Sequence, residues 1–86
     1  MYTVVMTRRA LKDRALLKAA GLEKTARALL GVIADNPYQT PPPYEKLRGD
    51  LSGCYSRRIN LKHRLVYDVF EGQQTVRVLS LWSHYE

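Results

Sequence analysis

The chain has 86 residues, a formal net charge of +6 and a single cysteine, with 45% hydrophobic and 26% charged residues. This composition excludes a disordered chain, and the length supports one domain, residues 1–86, burying roughly 60% of its unfolded surface around a small core. One cysteine excludes an internal disulfide. No apolar run is long enough for a signal-peptide core or a bilayer span, so the expected compartment is the cytoplasm, with no membrane partner.

In chain order, residues 2–6 (Tyr-Thr-Val-Val-Met) are β-formers and predict a first strand. Thr7 is placed to cap a helix with apolar positions Ala10, Leu11, Ala15 and Leu16 or Leu17, ended by Gly21. A second helix carries Leu22, Ala26, Leu29, Leu30 and Ile33 and stops at Asn36-Pro37. Residues 37–43, with Pro41, Pro42 and Pro43 in a row, predict a stiff extended loop that delivers Tyr44 and Glu45 to the sheet. Strands are expected over 55–59, 64–70 and 75–82, the last two joined by a turn at Glu71-Gly72. The order β-α-α-β-β-β predicts an α+β fold, with an antiparallel sheet covered on one face by a two-helix hairpin and free on the other.

The charge is unevenly spread. Between Tyr44 and Val66, the cations Lys46, Arg48, Arg57, Arg58, Lys62 and Arg64 face only Glu45 and Asp50. A pI of about 9.8 points to an anionic partner, either nucleic acid or an acidic protein. If Ile59 and His63 pair across the loop Asn60-Leu61-Lys62, Arg58 lies opposite Arg64. Such a like-charged pair is tolerable when it grips an anion, and guanidiniums suit phosphate. A register one residue off puts Arg58 beside Leu65, and scattered arginines on a solvated sheet face are the plainer alternative.

Glu45, read alone, is a surface charge or a base, and His84 a bland terminal residue or an acid. His63 reads as structural. Cys54 reads as packing, with nearby arginines able to lower its pKa. Tyr38, Tyr44 and Tyr55 either stack bases or cover a small core. Two histidines make no metal site, so neither metal nor cofactor is expected. A carboxylate, an arginine and a cationic histidine are the parts that metal-free RNA cleavage requires.

The run Glu45-Lys46-Leu47-Arg48-Gly49-Asp50-Leu51-Ser52-Gly53-Cys54-Tyr55-Ser56-Arg57-Arg58-Ile59 is followed by His63-Arg64-Leu65-Val66-Tyr67 and, near the end, by His84-Tyr85. It resembles the YoeB (Txe) branch of the RelE toxin superfamily, the toxins of YefM–YoeB-type toxin–antitoxin systems. The resemblance implies a RelE-like fold and a ribosome-dependent mRNA endonuclease. It assigns Glu45 as general base, His84 as general acid, Arg64 to the transition state and Tyr85 to orientation. Lys46, Arg48, Arg57 and Arg58 would hold RNA phosphates. The implied partners are an acidic YefM-like antitoxin and the 70S ribosome with its mRNA, and a homodimer is a further candidate assembly.

Three departures stand out. Tyr44 and Lys46 flank Glu45 where the family typically has prolines, Cys54-Tyr55 replaces a bulkier aromatic pair, and Glu86 follows the tyrosine that commonly ends the chain. The rival expectation is a non-catalytic basic module that holds RNA or an antitoxin.

Overall fold

The computed structural model describes residues 1–84. Strand β1 (Thr3–Met6) leads into helices α1 (Arg8–Ala19) and α2 (Glu23–Asp35). The strands β2 (Glu45–Lys46), β3 (Cys54–Arg58), β4 (His63–Phe70) and β5 (Thr75–His84) follow. Short 3-10 turns at Gly49–Leu51 and Glu71–Gln73 join β2 to β3 and β4 to β5. Neither helix is long and apolar enough to cross a membrane.

The helix boundaries fall where their signals predict. Thr7 Oγ1 accepts from Ala10 N at 3.1 Å and donates to Leu79 O at 2.9 Å, so the α1 cap also ties the helix to β5. Gly21, at φ +74°, takes the left-handed position after α1, while Leu22 N bonds back to Leu17 O. Pro37 and an Asx turn from Asn36 Oδ1 to Tyr38 N close α2.

The α+β class and the two-helix hairpin hold. The sheet differs in two respects. Among the described residues it has five strands in the order β1-β5-β4-β3-β2, because Glu45 and Lys46 form a short edge strand. It is mixed rather than wholly antiparallel, because β1 docks parallel to β5, pairing Val4 with Val76 and Met6 with Val78. A strand's own residues do not encode its neighbour, and β1 gains most by extending the apolar face of β5.

The helices cover the face carrying Leu65, Tyr67, Val76, Val78 and Leu81, which packs with Ala10, Leu17, Ala26, Leu29, Ile33 and Ile59. In α1 the buried face is Ala10, Asp13 and Leu17, whereas Leu11 and Leu16 are exposed. Asp13 is no misplaced charge. Its Oδ2 accepts from Leu81 N at 2.9 Å, where β5 departs from regular pairing with β4. Two register shifts occur there, one between Tyr67 and Val66 and one between Val66 and Arg64. Each extra residue in β5 flips the face parity, so the two together restore it. Asp13 and Thr7 thus hold the irregular segment that leads to the end of β5. Asp13→Ala strands the buried Leu81 amide and should cost about 1–3 kcal/mol in urea unfolding; an unchanged midpoint would show the bond to be incidental.

Candidate functional site

The helix-free face brings together three of the predicted residues, Glu45, Arg58 and Arg64. β3 and β4 pair with Arg58 opposite Arg64, and Ile59 N bonds to His63 O at 2.9 Å, so the conditional register is the observed one. Neighbouring strand residues point to opposite faces. Arg58 and Arg64 therefore share the open face with Ser56, while Arg57 and Leu65 share the helix-covered face.

β2 brings Glu45 to this arrangement. Glu45 pairs with Ser56 and Lys46 with Tyr55, and Leu47 N continues the ladder to Cys54 O at 2.9 Å. Arg64 Nη1 donates to Glu45 Oε1 at 2.9 Å. The two ends of this ion pair sit in different media: the Arg64 side chain is 10% exposed and that of Glu45 54%. A sunken cation thus holds a carboxylate that faces water. Arg58, opposite Arg64, is exposed and adds a second guanidinium at the same level of the sheet. Two like charges so placed repel by some tenths of a kcal/mol, which the Glu45 carboxylate offsets.

Lys46 pairs with Tyr55 and so alternates to the other face from Glu45, but at the sheet edge it and Arg48 are exposed and, with Glu45 and Leu47, line an open groove along β2. At the other side of Arg64, its β5 partner is Ser83, and the next pair along is His63 with His84. The backbone of His84 therefore lies one position along β5 from the residue facing Arg64. The His84 side chain, Tyr85 and Glu86 lie outside the described part. His63 is buried and stacks on Trp82 with ring centroids 3.7 Å apart, in keeping with a structural role. Among the described residues, no group of three or more His, Cys, Asp and Glu gathers as a metal site would require.

Arg57 lies apart from these residues. Expected to bind phosphate, it is instead 1% exposed on the helix-covered face. Its guanidinium donates to the carbonyls of Pro37, Gln39 and Pro42 and to Tyr67 Oη. A phosphate cannot reach it without unmaking the loop above. The tyrosines are likewise engaged with one another: Tyr55 meets Tyr38, Tyr44 and Tyr67 at centroid distances of 5.7, 5.6 and 5.5 Å. They cover the core beside Arg57.

Cys54 fits the packing reading, and the nearby arginine does not bring its thiol below the ordinary value. Burial pushes its thiol up from the ordinary value, Asp68 opposite it pushes further, and Arg77 offsets this only in part. Arg77 is spent on Asp68, which it meets through Nη2 at 2.6 Å. Less thiolate at neutral pH means a slower nucleophile. Iodoacetamide should therefore alkylate Cys54 more slowly at pH 7.5 than it alkylates a free cysteine, with the rate still rising above pH 9. A plateau below pH 8 would contradict the assignment.

A model of the family described as "YoeB-like toxin of bacterial type II toxin-antitoxin system" matches residues 7–85. The Toxin YoeB of Synechocystis is 36% identical over 74 residues, covering 86% of this chain and 77% of that protein. Among solved structures, the YoeB/ParE toxin from Agrobacterium tumefaciens superposes with a TM-score of 0.86 at 28% identity, over 96% of this chain and 99% of that one. The toxin–antitoxin heterotetramer YoeB–YefM from Staphylococcus aureus gives a TM-score of 0.81 at 31% identity, over 99% of both chains.

Proposed function

Because the chain belongs to the YoeB-like toxins of bacterial type II toxin–antitoxin systems, we propose that it is a ribosome-dependent endoribonuclease that cleaves mRNA in the A site and so stops translation. The observation that carries this reading is the ion pair of Arg64 with a water-facing Glu45 at 2.9 Å, beside Arg58 on the open sheet face.

In the proposed reaction Glu45 takes the proton of a ribose 2′-hydroxyl. The 2′-oxygen attacks the adjacent phosphorus in line, the bond from phosphorus to the 5′-oxygen breaks, and His84 gives that oxygen a proton. The products are a 2′,3′-cyclic phosphate and a 5′-hydroxyl. Arg64 meets the negative charge that develops on the phosphoryl oxygens, and its burial strengthens that interaction relative to one in bulk water. Arg58, Arg48 and Lys46 hold flanking phosphates, and Tyr85 orients the reacting groups. A phosphate beside His84 favours its protonated, donating form.

A protein with so small a site makes few contacts to a message. The ribosome supplies the bent, in-line geometry that these contacts alone do not impose. A YefM-like antitoxin, rich in acids, would cover the cationic face, with part of the tight binding electrostatic.

The test is cleavage of a defined message by the purified toxin, with and without programmed 70S ribosomes. Cleavage only on the ribosome, abolished by the antitoxin, is the expected result. Antitoxin binding without any cleavage would instead mean a non-catalytic module.

A further inference from the structure

We infer that Arg57 is a positioning residue for the Glu45 carboxylate, acting through the proline loop that carries Glu45 to the sheet edge. This rests on the reading of Glu45 as the general base.

The loop between α2 and β2 contains Pro37, Pro41, Pro42 and Pro43. Proline has no N–H, so these residues offer carbonyls but cannot tie the loop to the fold with their own amides. Arg57 supplies what they lack. Nη1 donates to Pro42 O at 2.6 Å, Nη2 to Pro37 O at 3.0 Å and to Gln39 O at 2.9 Å, and Nε to Tyr67 Oη at 3.1 Å. Tyr67 Oη in turn donates to Pro37 O at 2.7 Å. The guanidinium also lies over the ring of Tyr44, 5.0 Å from its centroid, and Tyr44 is the residue before Glu45. One side chain therefore reaches from Pro37, near the start of the loop, to Tyr44, its last residue.

Three further observations favour a clamp over a ligand site. Among the described residues no carboxylate lies within ion-pair distance of Arg57, so its buried charge is balanced by carbonyl dipoles and a phenol. It is on the sheet face opposite Arg58 and Arg64. And β2 has only two residues, extended by the single Leu47 N to Cys54 O bond, so the ladder that fixes the Glu45 backbone is short. A general base displaced by about 1 Å loses on the order of 10²-fold in rate.

The experiment is a double-mutant cycle in single-turnover cleavage on programmed ribosomes. Arg57→Lys keeps the charge but cannot span three carbonyls with a fork. It should lower the rate at saturating ribosome about 10–100-fold, leave the half-saturating concentration within about threefold, and leave antitoxin binding unchanged. In a Glu45→Gln background the same substitution should cost less than about threefold, because two residues acting through one step are not additive. Tyr67→Phe, a milder cut to the same clamp, should follow the same pattern with a smaller loss, and serves if Arg57→Lys does not fold. Faster amide exchange at Leu47, with exchange in β4 unchanged, would mark the loosened edge.

Full multiplicativity with Glu45→Gln, a raised half-saturation with an unchanged rate, or parent-like cleavage by both variants would overturn the proposal. Glu45→Gln that cleaves like the parent would overturn the general-base reading itself. The Leu47 exchange would then still report whether Arg57 clamps the loop.

Discussion

Glu45→Gln should lower single-turnover mRNA cleavage on programmed ribosomes by about 10²–10⁴, the usual worth of a general base. Glutamine is nearly isosteric and its amide oxygen can still accept from Arg64 Nη1, which meets Oε1 at 2.9 Å in the parent. What it loses is the ability to take a proton. Because the Glu45 side chain is 54% exposed at the sheet edge, the exchange removes no core packing. Far-ultraviolet circular dichroism, the melting temperature and antitoxin affinity should stay close to those of the parent. A variant that cleaves within threefold of the parent would remove Glu45 from the reaction.

Arg64→Lys should cost about 10²–10³ in the same assay, the range for losing one preorganised donor to transition-state charge. Arg64 sits at 8% exposure between Arg58 across β3 and Ser83 across β5, so its guanidinium is aimed by strands rather than by a loop. Lysine keeps the charge but presents a point donor instead of a planar fork, and cannot meet both a carboxylate and a phosphate as a guanidinium does. The loss should appear in the rate at saturation rather than in half-saturation, since exposed Arg58, Arg48 and Lys46 remain to hold the RNA. An unchanged saturated rate with weaker binding would make Arg64 an RNA-binding residue only.

Much of this site is legible in the sequence, and the reasons differ by residue. The loop Asn60-Leu61-Lys62 is short enough to specify its hairpin, so the Arg58–Arg64 register follows once Ile59 and His63 are paired. The proline loop marks where Glu45 re-enters the fold, although a two-residue strand is too short to leave a period. Arg57 reads as a phosphate ligand because it stands in a basic motif. Yet strand alternation alone forbids Arg57 and Arg58 from facing the same phosphate.

Other features leave less trace. Asp13 interrupts the apolar face of α1 between Ala10 and Leu17, and a carboxylate there is the one hint that something on the sheet must be satisfied. Nothing in the chain's own periodicity announces that β1 will lie parallel to β5. The two register shifts in β5 are equally silent, because their effects on parity cancel before His84.

Attack by the 2′-hydroxyl is the central step of the proposed reaction. The most direct measurement uses two messages on programmed ribosomes, one native and one with a single 2′-deoxy residue at the nucleotide 5′ to the cleaved bond. The toxin should cut the native message to leave a 2′,3′-cyclic phosphate and a 5′-hydroxyl, and leave the deoxy message intact at that bond. Equal cleavage of both messages at the same bond, or no cleavage of either, would contradict it.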